Sequence, residues 1–112
     1  MATATQKGVP YTLLAATTTG TGTAVAIPIT SDHQRISIIT ADTTSGGTLL
    51  LEEAHTVDYS GTWSVLATIT ASALTGGDVQ VYHIFGTLGF VRARVSSDIT
   101  GGGTIAAEIV TN

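Results

Sequence analysis

The sequence predicts an all-β protein: a single-domain antiparallel β-sandwich or jelly roll of seven to eight strands. Three observations predict it. Apolar segments of strand length recur at intervals of about ten residues, separated by Gly, Ser, Thr and Asp. Inside these segments apolar and polar residues alternate with a period of two, as in a strand with one buried face. No window of about eleven residues carries the apolar period of an amphipathic helix, and 71–74 has room for one turn at most.

The elements follow in order. Residues 1–8 read as a free or partner-bound N-terminal arm, and the sandwich occupies residues 9–112. A strand is expected over 11–16, then a Thr/Gly loop over 17–23. In 24–29 the residues Val25, Ile27 and Ile29 share one face, and in 35–40 Ile36 and Ile38 do. Ser45-Gly46-Gly47 predicts a turn into the strand 48–53, with Leu49 and Leu51 on one face and Leu50 and Glu52 on the other. The connection 55–61 leads to a strand over 62–70 whose inward series is Trp63, Val65, Ala67 and Ile69. Thr75-Gly76-Gly77-Asp78 is a turn signal. The strand 79–85 is expected to turn Val79, Val81, His83 and Phe85 inward, and 86–89 is short enough for a hairpin loop. In 90–95 Val91, Ala93 and Val95 face inward and Arg92 and Arg94 outward; Gly101-Gly102-Gly103 precedes the last strand, 104–110.

Composition bounds the function. The chain has 112 residues, room for one modest core. Only 11% of residues are charged, against about a quarter in ordinary soluble domains, and Thr and Gly take up the difference. A hydroxyl-rich surface costs less to desolvate than one of Lys and Glu, which suits a protein covered by partners. The net charge of −4, with Lys7, Arg35, Arg92 and Arg94 as the basic residues, argues against nucleic acid as a partner. No apolar run approaches the roughly 20 residues of a membrane-spanning helix, and no signal peptide is visible. With no Cys there is neither a disulfide framework nor a thiolate site.

Candidate chemistry fails on spacing or on strand geometry. His33, His55 and His83 with Asp32 and Asp58 offer metal-ligand types, but no two histidines stand at ligand spacing. There is no G-x-S-x-G elbow, and the adjacent Glu52 and Glu53 point to opposite faces of a strand, so they are no catalytic pair. The glycine runs lack the Lys and helix of a phosphate loop. Arg92 and Arg94 share one strand face and would either contact a partner or, the favoured reading, pair across strands with Glu52, Asp78 or Glu108, and Trp63 is expected at the centre of the core. No catalytic, metal or cofactor-binding residue is expected.

The order of Glu52-Glu53 at a strand end, Asp58 and Gly61 in a turn, Thr62-Trp63 opening a strand, Gly89-Phe90-Val91-Arg92-Ala93 and a glycine turn before the last strand resembles small β-sandwich virion proteins of tailed bacteriophages. The resemblance covers residues 36–110, and the turn departs from the family's Ser-x-Asp-Gly form. It implies a capsid decoration (cement) protein on the virion surface, a homo-oligomer, commonly a trimer, that bridges subunits of the major capsid protein. The alternative is a tail or fibre module binding host glycan or receptor, with Trp63 or Tyr82 exposed in a groove. An enzyme would need a cavity joining at least two of the three histidines.

Overall fold

A computed structural model of the chain describes residues 2–56, 58–73, 77 and 79–112. Its elements run β1 (Ala2–Thr3), β2 (Tyr11–Thr17), β3 (Val25–Ala26), β4 (His33–Ala41), β5 (Gly46–Ala54), β6 (Ser64–Thr70), a 3-10 turn (Ala71–Ala73), β7 (Val79–Phe85), β8 (Phe90–Thr100) and β9 (Thr104–Thr111). Seven of these strands have seven or more residues, and β1 and β3 have two each. Most of the turn expected at 75–78 lies outside the described residues. Among the described residues no helix is long and apolar enough to cross a membrane.

The strands form a five-stranded sheet, ordered β1-β3-β8-β5-β6, and a four-stranded sheet, ordered β2-β9-β4-β7. All ladders are antiparallel except β1–β3. Of the connections between successive strands, only β5 to β6 joins two neighbours of one sheet; every other crosses to the opposite sheet. The segment 86–89 is therefore not a hairpin loop, as expected from its length, but a crossing between sheets. The core lies between the sheets and is built from the inward positions, among them Leu13, Ile36, Leu49, Leu51, Val91 and Ile109. Facing inner layers of branched aliphatics, each strand contributing alternate residues, are the packing of a sandwich.

Where the chain departs from its alternation, a local cause is visible. Pro28 lacks an N–H and cannot continue a ladder, so β3 stops at Ala26 and Ile29 stands 84% exposed. Gly46 and Gly47, expected as a turn, open β5 instead. Gly47 takes φ 105° at a register shift, and a Cβ there would meet the Asp98 carbonyl. The expected loop 17–23 runs along β8: the Gly22 N–H donates to the Ala93 carbonyl, the Val95 N–H to that of Gly20, and the Ile99 N–H to that of Thr18. The N-terminal segment, expected as an arm, lies along its own sheet, with Thr3 beside Ala26 and Ala4 buried. The Gly8 N–H donates to the Thr111 carbonyl.

Two side-chain faces differ from expectation. In β6 the register steps from Leu51 opposite Ala67 to Glu52 opposite Val65, leaving Leu66 as the extra residue of a bulge. A one-residue slip exchanges the faces of a strand. Ile69 thus faces the core while Val65, 51% exposed, faces out. Trp63 is buried, but it is absent from the core between the sheets. In β7 the register with β4 places Tyr82 opposite Ile36 and Ile84 opposite Gln34, and both pack against the core. Val79, Val81, His83 and Phe85 consequently line the outer face.

Candidate functional site

Two clusters gather the residues with chemistry, one on the outer face of each sheet. The first is built on β5 and β8, where the register sets Leu50 opposite Arg94 and Glu52 opposite Arg92. The Glu52 carboxylate, 3% exposed, accepts from Arg92 Nε at 3.0 Å and from Arg94 Nε at 3.1 Å through Oε1, and from an Arg94 terminal nitrogen at 3.1 Å through Oε2. That carboxylate holds the Arg94 guanidinium above its ordinary pKa, chiefly by hydrogen bonding. Arg92 also lies over the Trp63 ring, 4.0 Å from its centre, a cation–π contact. The Trp63 indole N–H donates to the Tyr59 carbonyl at 3.0 Å and ties the 55–63 connection to the same cluster. Next along β5, Glu53 accepts from the Gly89 N–H at 2.8 Å.

The expected cross-strand pairing of both arginines with Glu52 is therefore present. Each charged group in it has a partner within the cluster, two guanidinium groups sharing one carboxylate, so the arrangement fixes register and seats the connection. Trp63 offers no exposed platform, and Tyr82 is half-buried against the core.

The second cluster lies on the outer face of the four-stranded sheet, where β4 and β7 run side by side through seven consecutive pairs. His33 stands opposite Phe85 and His83 opposite Arg35. The His33 ring stacks on Phe85 with centres 4.6 Å apart and planes at 9°, and His33 Nε2 lies 2.9 Å from His83 Nδ1. One imidazole donates and the other accepts, so at least one of them is neutral. An open cavity of about 430 Å³ adjoins them, lined by Gly8, His33, Arg35, His83, Val110, Thr111 and Asn112.

The structure thus joins two of the three histidines that stand far apart in the sequence. The third, His55, lies against the Tyr59 ring on the five-stranded side. The cavity lining brings no Asp or Glu side chain to the pair, and among the described residues no three of His, Cys, Asp and Glu gather closely enough to hold an ion. Sequence spacing gave no sign of this pair, because residues 50 apart meet only through the β4–β7 register.

Beside the cavity, β7 forms the free edge of its sheet. Its outer face is apolar, with Val79, Val81 and Phe85 exposed by 58%, 43% and 75%. Natural edge strands are usually blunted by charge, Pro, a bulge or shortness. The other edges are so modified: β1 has two residues, β2 carries two register shifts and β6 one bulge. The strand β7, Val79–Phe85, has no charged residue, Pro or register shift.

No family model matches the sequence, and no curated protein matches it. Solved structures do. The SPBc2 prophage-derived protein YomS superposes with a TM-score of 0.58 at 13% identity, over 93% of this chain and 92% of that one. The PBSX exported protein XepA gives a TM-score of 0.59 at 16% identity over 94% of this chain, which spans 37% of XepA. At these identities the likeness is one of fold: the chain has the same β-sandwich architecture as the prophage-derived YomS and as part of XepA.

Proposed function

We propose that this chain is a structural protein of a phage particle, a capsid decoration (cement) protein that associates with its own copies and with the major capsid protein. The observation that carries this reading is the uncharged, unbulged edge strand β7 with its apolar outer face. Such an edge is a liability unless another chain covers it. A second strand added there would gain main-chain hydrogen bonds and bury Val79, Val81 and Phe85. Association of this kind, repeated around a shell, raises the free energy needed to disrupt it.

Two further observations support the reading. The described outer surface carries hydroxyls and few charges, so covering it costs little desolvation. The fold is also that of a prophage-derived protein. Homo-oligomerisation and a place on the capsid surface belong to the same proposal. Cryo-electron microscopy of intact particles carrying this chain tests it. Density for the chain over the junctions between major capsid subunits is expected; density confined to the tail overturns the capsid role.

A further inference from the structure

We propose that the occupant of the β7 edge is β7 of a second copy, paired antiparallel across a two-fold axis and in full register, so that two four-stranded sheets become one sheet of eight strands. Resting on the reading that copies associate through β7, the pairing has a definite partner strand, symmetry and register. The partner strand follows from the other edges. An unbroken ladder needs a regular strand on both sides. The strand β1 has two residues, β6 is interrupted at Leu66, and β2 shifts register twice. The Gly22 segment also closes on β2, where a Cβ at Gly22 would meet the Leu13 carbonyl. Among the described strands β7 is the remaining edge, seven residues long and paired with β4 without a shift. A strand paired with its own copy about a two-fold makes an isologous contact, which closes at two chains.

The main chain sets the register. The Asn112 N–H donates to the His33 carbonyl, so His33 turns its backbone groups toward β9. The Gly86 N–H donates to the Asp32 carbonyl, so Asp32 turns toward β7. Bonded and non-bonded pairs alternate along an antiparallel ladder. Through the β4–β7 register, Gln80, Tyr82 and Ile84 therefore bond to β4, while the N–H and C=O groups of Val79, Val81, His83 and Phe85 point to the free edge. One register uses all four residues. It sets Val79 opposite the partner's Phe85 and Val81 opposite the partner's His83, with the axis between the two copies of Tyr82. It forms about eight main-chain hydrogen bonds, two for each bonded pair; moving the axis by one residue loses a pair.

The side chains fit that register. On the outer face the exposed Val79 and Phe85 meet across the interface. On the inner face Tyr82, partly buried against the core, gains a cross-strand aromatic neighbour. The strand carries no Asp, Glu, Lys or Arg, so the axis sets no like charges against each other. Arg35 lies one strand further in, opposite His83. The phage resemblance implies a trimer, whereas an edge consumed by a two-fold closes at a pair and suits a two-fold position on a shell.

The test uses the full-length chain in solution. Light scattering should give the mass of two copies. Hydrogen exchange followed by NMR should alternate along β7. The amides of Gln80, Tyr82 and Ile84 should be protected at every concentration, and those of Val79, Val81, His83 and Phe85 only as the pair forms. The chain has no Cys, so Val79→Cys and Phe85→Cys each accept a single spin label. Pulsed electron paramagnetic resonance should then give the same separation between copies for both labels, about 20 Å from Cα to Cα. An axis displaced by one residue would bring one separation to about 15 Å and the other to about 28 Å. A ring or filament of three or more copies, unequal separations, or a dimer whose Val81 and His83 amides stay open would overturn this pairing and leave self-association standing. A chain that is monomeric at every concentration would overturn both. Where a label itself blocks association, the exchange pattern of the wild type decides.

Discussion

Glu52 and Arg94 form a two-point ion pair across β5 and β8, Nε to Oε1 and a terminal nitrogen to Oε2, both at 3.1 Å. The carboxylate is buried while Arg94 keeps about a third of its side chain in solvent and Arg92 about a quarter. The arginines thus act as a lid over a carboxylate that would otherwise lack any compensating charge.

Removing the carboxylate should be felt more than removing either cation. Glu52→Ala leaves two guanidinium groups facing each other and a void beneath them. A loss of about 2–4 kcal/mol is expected, below the full cost of breaking a buried pair because both arginines can turn to water. Urea unfolding with fixed slope measures it. Because Glu52 is shielded from solvent, the loss should persist in high salt; a difference that vanishes with salt would place the pair at the surface.

Trp63 is the chain's one tryptophan, and its fluorescence reports on the outer face of the five-stranded sheet rather than on the core. Trp63→Ala should cost about 3–5 kcal/mol. Trp63→Phe should cost less, since the ring face beneath Arg92 is retained and only the indole hydrogen bond to Tyr59 is lost. Thermal or urea unfolding of the two variants separates these terms.

The inner and outer faces of the four-stranded sheet should respond in opposite ways. Ile38→Ala, at a fully buried inner position, should cost about 2–5 kcal/mol. Val79→Thr, on the exposed outer face of β7, should change monomer stability by no more than about 0.5 kcal/mol. A large loss at Val79, measured at concentrations low enough that the chain is monomeric, would mean that the β7 faces are assigned the wrong way round.

Existence and type of the strands were legible because Thr, Val and Ile alternate with polar residues and the punctuation is clear. The bounds of β7 and the outward pair Arg92 and Arg94 follow from period two alone. Which face turns inward is another matter. In β7 both sets, Val79-Val81-Phe85 and Tyr82-Ile84, are apolar, and only the register with β4 decides between them. In β6 the alternation reads as one face from Trp63 to Ile69, but Leu66 bulges and divides it. Connections were equally hidden: 86–89 has hairpin length, yet it spans from one sheet to the other. The histidine pair is a product of that topology, since His33 and His83 meet only once β4 and β7 are neighbours.

The central claim is that this chain joins copies of itself through the β7 edge. Multi-angle light scattering of the wild type and of Val81→Lys, over a range of concentrations, tests it most directly. The account predicts a discrete oligomer for the wild type. It predicts a monomer for Val81→Lys, whose circular dichroism spectrum should remain that of the wild type, because Val81 is outside the core. A wild type that stays monomeric at every concentration, or a Val81→Lys variant that associates as the wild type does, would contradict it.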